Sequence, residues 1–335
     1  MRKEILKVDH LKKYFPIKSG IWNRTVTNIK AVDNISFTVH EGETVGIVGE
    51  SGCGKSTVAR TILQLEQPTA GNIYFEGKNL CLLRKKELRR KRKEMQMIFQ
   101  HPHSSLNPRQ RLKDILYEAM SIQKVVPKAR KNEQVHALLQ KVGLQPHQQE
   151  RYPHELSGGE KQRVAIARAL AVQPKLIICD EIVSSLDISR QAQILHLLKK
   201  LQQDFNLTYL FISHDLEVVR YISDRVIVMY VGQIVEMATT QSLFESPMHP
   251  YTHALLSAIP TPHPKAKRKR LLLKGEVPSP VEPPSGCRFH PRCPFATETC
   301  KKVAPTLQGT KDVEQNHLVA CHYGEDIARN RSSFF

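Results

Sequence analysis

Apolar and polar residues alternate through Ile35-Ser36-Phe37-Thr38-Val39, the period of a strand with one buried face. Asn72-Ile73-Tyr74-Phe75 repeats the pattern before the turn signal Glu76-Gly77-Lys78. Residues 1 to about 45 therefore read as β-rich, beside a small antiparallel sheet. Elsewhere the alternation gives way to short apolar runs, Thr44-Val45-Gly46-Ile47-Val48 and Leu176-Ile177-Ile178-Cys179. Both are too short for helices and read as buried strands. Met95 to Gln100 reads as a strand ending in an amide, and Leu207 to Ile212 as one ending in Ser213-His214-Asp215. Arg225 to Met229 and Gln233 to Glu236 suggest a hairpin around Val231-Gly232. Helical spacing marks Val58 to Leu63, the charged stretch 79–95, Val135/Leu138/Leu139/Val142 closed by Gly143, Val164 to Leu170, and Ile194/Leu198/Leu201 with Ser189 as its expected cap.

This pattern divides the chain. Residues 1–100 and 164–245 read as one α/β core. Residues 101–163 open on the loop His101 to Pro108 and turn helical, which reads as an inserted helical subdomain. From 246 the composition becomes proline-rich, so 246–335 reads as a C-terminal extension.

A length of 335 residues agrees with about two domains. No apolar run of about 18 residues is present, and Met1 to Lys7 lacks the apolar core of a secretory signal, so a cytoplasmic chain is expected. The charge of +18 concentrates in Arg84–Lys93 and Lys265–Arg270. Nucleic acid or an anionic membrane surface would suit such runs. Without interleaved aromatics or a nucleic-acid module, a solvated or membrane-proximal face reads better.

Gly49-Glu50-Ser51-Gly52-Cys53-Gly54-Lys55-Ser56-Thr57 fits G-x-x-x-x-G-K-[ST] between a strand and a helix. Its glycines let backbone N–H groups curl around phosphates, Lys55 reaches the β/γ-phosphates and Ser56 ligates Mg²⁺. Asp180 and Glu181 end an apolar strand, where ligands bind in α/β sheets. Asp180 suits a Mg²⁺ ligand, Glu181 the base that polarises water, and Gln100 a contact to metal and water. His214 suits a γ-phosphate contact.

Taken together the chain resembles the nucleotide-binding subunits of ABC transporters over residues 5 to about 245. Leu156-Ser157-Gly158-Gly159-Glu160 resembles the LSGGQ signature with Glu160 for the usual Gln; Gln100 matches the Q-loop, Ser185-Leu186-Asp187 the D-loop and His214 the switch histidine. The resemblance implies a P-loop NTPase (ABC ATPase) core with antiparallel β subdomain, helical subdomain and Cys-containing extension. It also implies that Ser157, Gly158 and Gly159 face ATP bound on a partner subunit. Phe15, or alternatively Tyr14, would stack on adenine.

Lys30 to Ser36, the P-loop, His249-Pro250-Tyr251-Thr252 and Gly286-Cys287-Arg288-Phe289-His290-Pro291-Arg292-Cys293-Pro294 look like the dipeptide/oligopeptide/nickel importer branch, and most like its second ATPase subunit. That resemblance implies ATP hydrolysis driving peptide uptake, a second ATPase subunit, two permease subunits meeting the chain near Gln100 to Arg111, an extracytoplasmic binding protein, and attachment to the inner face of the membrane. Alternatives are nickel, metallophore or glutathione cargo, or a soluble ABC ATPase acting on ribosomes or DNA.

The cysteines Cys287, Cys293, Cys300 and Cys321 are spaced C-x5-C-x6-C-x20-C. In a reducing compartment this favours a metal over disulfides. Zinc-type C-x2–4-C pairs are absent, whereas four thiolates suit a [4Fe–4S] cluster. Some members of the importer branch carry such a cluster there; iron–sulfur, zinc and no metal all remain open. Cys53, Cys81 and Cys179 read as small hydrophobes or loop fillers.

Overall fold

The computed structural model describes residues 2–19, 24–100, 106–122, 130–259, 273–309 and 317–329. The loop residues 101–105 and the basic run 265–270 lie outside these. In chain order the elements are β1 (Glu4–Ser19), β2 (Arg24–His40), β3 (Thr44–Val48), α1 (Lys55–Ile62), β4 (Ala70–Phe75), β5 (Lys78–Asn79), α2 (Lys85–Lys91), β6 (Met95–Ile98), α3 (Leu112–Ile122), α4 (Lys131–Lys141) and α5 (Gly158–Leu170). They continue with β7 (Leu176–Asp180), α6 (Ile188–Phe205), β8 (Thr208–Ile212), α7 (Leu216–Ile222), β9 (Arg225–Tyr230), β10 (Gln233–Thr239), α8 (Thr240–Glu245), α9 (Pro250–Ser257), α10 (Glu298–Lys302), β11 (Gln308–Gly309), β12 (Leu318–Val319) and α11 (Gly324–Arg329).

Contacts group the chain into two units. The first holds Met1–Ile5, Val39–Thr44 and Leu82–Ile212; the second holds Leu6–Thr38, Val45–Cys81 and Ser213–Phe335. The C-terminal region thus shares a unit with the glycine-rich loop, and the helices α3–α5 share one with β6, β7 and β8.

In the first unit β6, β7 and β8 run parallel, with Ile98 opposite Cys179 and Cys179 opposite Phe211. Every residue of β7 and β8 is buried, as expected of parallel strands covered on both faces. Val135, Leu138 and Leu139 form the buried stripe of α4, and Gly143 ends its turn with φ +74°. The long α6 is capped by Asp187, which accepts from the Arg190 N–H at 3.0 Å. The expected cap, Ser189, already lies inside the helix.

In the second unit β3 pairs in parallel with β9, Val48 lying opposite Val228, and β9 turns into antiparallel β10 through Val231 and Gly232, both at positive φ. That two-residue turn matches the twist of the flanking strands. A four-stranded sheet orders β2-β1-β4-β5, its β1–β4 and β4–β5 pairs antiparallel, with Ile35, Phe37 and Val39 buried as their alternation predicts.

The Pro-rich region is pinned to β10 by a buried carboxylate. Glu236, fully buried, accepts the N–H groups of Met248 (2.7 Å) and His249 (3.0 Å), and lies 2.7 Å from His317 Nε2. His249 Nδ1 in turn accepts the Tyr251 N–H at 3.1 Å, starting α9.

Candidate active site

The loop between β3 and α1 passes through positions closed to side chains. At Gly49 a Cβ would stand 2.2 Å from the Met229 carbonyl oxygen, and at Gly54, φ +104°, 2.1 Å from that of Ala31. Lys55 Nζ, buried within the curl, donates to the carbonyls of Gly49 (2.8 Å) and Glu50 (3.1 Å). The Gly232 N–H holds the Cys53 carbonyl at 2.9 Å. Ser51 and Gly52 lie on the loop, while Ser56 and Thr57 lie in the first turn of α1. That turn carries no acidic residue, so nothing within it opposes the positive field of the helix start. The result is a glycine-shaped loop with a buried lysine at a helix start, suited to phosphate.

On β1, Lys13 lies over the Phe15 ring, 4.6 Å from its centroid. The alternative, Tyr14, has its hydroxyl committed to Asp33, and burial, reinforced by that carboxylate, pushes it up to about 12. His214 is exposed between Ser213, whose N–H donates to the Ile47 carbonyl, and Asp215, which caps α7.

The first unit brings Gln100 and Glu181 together. The register that sets Ile98 beside Cys179 places residues 100 and 181 two steps beyond matching positions, and Gln100 Nε2 donates to Glu181 Oε2 at 2.8 Å. Glu181 holds φ +49°, an uncommon conformation for a residue with a side chain, supported by its N–H bond to the Ile212 carbonyl. Asp180 is buried at the end of β7. Asp187, besides capping α6, pairs with Arg190 Nε at 3.2 Å.

At the start of α5, Ser157 Oγ accepts the Glu160 N–H and the Glu160 carboxylate accepts the Ser157 N–H, a reciprocal cap. Glu160 also takes the Gln148 amide at 2.9 Å. The Ser157 N–H bond above all holds its carboxyl below the usual range. Side chains at Gly158 and Gly159 would meet nothing nearer than 3.7 and 3.5 Å, so crowding within the chain does not require glycine at either position.

Residues 32–184 match the family model described as ABC transporter, and residues 235–300 the one described as oligopeptide/dipeptide transporter, C-terminal region. The oligopeptide transport ATP-binding protein AppF of Bacillus subtilis is 52% identical over 95% of this chain and 97% of that protein. The chain belongs to the ABC transporter ATP-binding family. A probable peptide ABC transporter ATP-binding protein of Sinorhizobium fredii, y4tS, is 50% identical over 96% of this chain and 90% of that protein. Among solved structures, CbiO1 of Clostridium perfringens, part of the ABC transporter complex CbiONQ, superposes with a TM-score of 0.63 at 27% identity, covering 72% of this chain and 91% of that one. The cassette MJ0796, a dimer in a post-hydrolysis state with ADP and Pi, gives 0.62 at 28% identity over 70% and 98%. The fold is that of an ABC ATPase, and no helix among the described residues is long and apolar enough to cross a membrane.

The C-terminal region of this ABC ATPase brings Cys287, Cys293, Cys300 and Cys321 around one small cavity, with Phe289, His322 and Tyr323. Among the described residues, no three His, Cys, Asp or Glu side chains stand at metal-holding geometry. Burial pushes up the Cys287 thiol, and takes Cys293 to about 11 and Cys321 to about 12. These three thiols therefore stay protonated near neutrality unless a cation compensates them. Cys53 and Cys179 are buried, and burial raises both.

Sequence reasoning missed several contacts to the loop. Tyr251 on α9 accepts the Glu50 N–H at 2.8 Å. Arg292 grips the Glu50 carboxylate with Nη1 to Oε2 at 2.7 Å and Nη2 to Oε1 at 3.2 Å. Arg288 holds the Asp33 carboxylate and the Val231 carbonyl. The signal was the presence of Tyr251 in the His249 to Thr252 motif and of both arginines in the Gly286 to Pro294 motif.

Proposed function

We propose that this ABC ATPase hydrolyses ATP to energise uptake of oligopeptides across the cytoplasmic membrane. It would be held peripherally by two permease subunits and pair with a second ATPase subunit, with an extracytoplasmic binding protein delivering cargo. The observation that carries this reading is the joined Gln100 and Glu181, in a chain whose residues 235–300 match the oligopeptide-transporter region.

In this reading the loop Gly49 to Thr57, through N–H groups other than that of Glu50, and Lys55 bind the phosphates, and Phe15 stacks on adenine. Ser56, Gln100 and Asp180 would hold Mg²⁺, which neutralises phosphate charge when bound. Glu181 takes the proton of the attacking water, Gln100 orients that carboxylate, and His214 contacts the γ-phosphate. Asp187, in the stretch that matches the D-loop, belongs with the nucleotide-binding residues. Ser157, Gly158 and Gly159 close on the partner subunit's ATP; their unobstructed Cα positions support a close approach from outside the chain. The helical subdomain 101–163 and the extension 246–335 would then serve the permeases and the cysteine site.

The four cysteines form a donor set suited to a [4Fe–4S] cluster, which supports assigning them to that cofactor. Anaerobic purification should yield brown protein with matching iron and sulfide; colourless, iron-free protein refutes it.

For the ATPase, Glu181→Gln should bind ATP normally but turn over roughly 10²- to 10⁴-fold more slowly. Near-normal turnover removes Glu181 from its role. Reconstituted with its permeases, the wild type should be stimulated by peptide-loaded binding protein; no stimulation rejects the peptide cargo.

A further inference from the structure

Glu50 carries the one acidic side chain of the Gly49 to Thr57 loop. It puts a carboxylate into a loop built to receive a polyanion. Like charge near bound phosphates weakens binding by Coulomb repulsion. The Arg292 guanidinium meets this carboxylate in a two-pronged pair, with side-chain exposures of only 9% for Arg292 and 26% for Glu50. The pair is braced, since Arg292 also donates to the Tyr230 hydroxyl at 3.4 Å and Tyr251 accepts the Glu50 N–H. A second arm, from Arg288, reaches Asp33, whose N–H binds the Gly232 carbonyl; Gly232 in turn holds Cys53 at the far side of the loop. The two arginines directly adjoin Cys287 and Cys293, so one short segment bears on Glu50 directly and on Cys53 through Asp33 and Gly232.

We propose that Arg292 is a positioning residue for nucleotide binding. It neutralises Glu50 and fixes the first turn of the P-loop, and through it the cysteine-bearing segment sets the affinity of the site for the triphosphate. This rests on the P-loop binding ATP.

The test uses the full chain and a fluorescent ATP analogue, with ATPase kinetics in the assembled transporter. Arg292→Ala leaves one uncompensated negative charge beside the phosphates. The Kd and the KM for ATP should rise about tenfold, equivalent to about 1.4 kcal/mol, with kcat at saturating ATP changed less than twofold. Arg292→Lys, which keeps the charge but loses the fork, should fall between. The decisive variant is Glu50→Gln/Arg292→Ala, which removes the repulsive charge as well. It should recover most of the lost affinity, whereas a fold defect caused by losing Arg292 would persist. Unchanged affinity in Arg292→Ala, or no recovery in the double variant, overturns the proposal. A wild type that binds the analogue no better than Lys55→Ala overturns the ATP reading itself.

Discussion

Replacing Glu236 by Gln exchanges one carboxylate oxygen for an NH₂ group in a site sealed from water. The wild-type carboxylate accepts three hydrogen bonds: from Met248 N–H and His317 Nε2 on one oxygen, and from His249 N–H on the other. A Gln amide offers one oxygen and one NH₂ group, so in either orientation a buried donor faces a donor. A buried donor left without its acceptor costs about 1–3 kcal/mol. The surviving bonds also lose their charge assistance, which brings the expected loss to about 2–4 kcal/mol. The damage falls where the Pro-rich region meets β10, and so loosens the start of α9, which carries the Tyr251 hydroxyl to Glu50. Urea unfolding followed by far-UV circular dichroism should show the midpoint dropping by about 1 M at a slope of about 3 kcal/mol per M. A loss below about 0.5 kcal/mol would refute the claim that this carboxylate pins the C-terminal region.

Acid should reach the same junction. Burial, opposed by the Glu236 charge and aided by His253, lowers His249 from 6.5 to about 4. The unfolded chain takes up a proton below pH 6.5 and the folded chain only near 4, so stability present above pH 6.5 is lost across that window, by about 3 kcal/mol. Melting temperatures from pH 7 to 5 should fall more steeply for the wild type than for His249→Gln; equal slopes reject the role of His249. Gly159→Ala should leave the melting temperature of the isolated chain within about 2 °C, since a Cβ there meets nothing nearer than 3.5 Å. In the assembled transporter its ATPase rate should fall at least tenfold; an unaffected rate would place the signature away from the partner's nucleotide.

The elements that bear on chemistry were legible because each is written in a few adjacent residues. The glycines of the P-loop that cannot carry a side chain and the buried strand before Asp180 follow from local pattern, whereas the reciprocal cap of Ser157 and Glu160 went unread inside the signature. Gln100 and Glu181 could be read as separate strand ends; their union depends on a strand register that no local pattern states. The cap of α6 was misplaced because Asp187 and Ser189 are both good N-cap residues, and only the bond to the Arg190 N–H distinguishes them. The arginine contacts were illegible for a different reason. Arg288 meets Asp33 across 255 residues and Arg292 meets Glu50 across 242, with no periodicity linking the partners.

That last separation also sets a schedule for synthesis. At about 5–20 residues per second, the ribosome adds Arg292 roughly 12–50 s after Glu50. Through that interval the nascent chain carries a complete P-loop sequence with its acidic side chain unanswered. The loop meets its counter-charge only after 242 further residues have been translated, so the finished nucleotide site forms long after the loop sequence itself has been made.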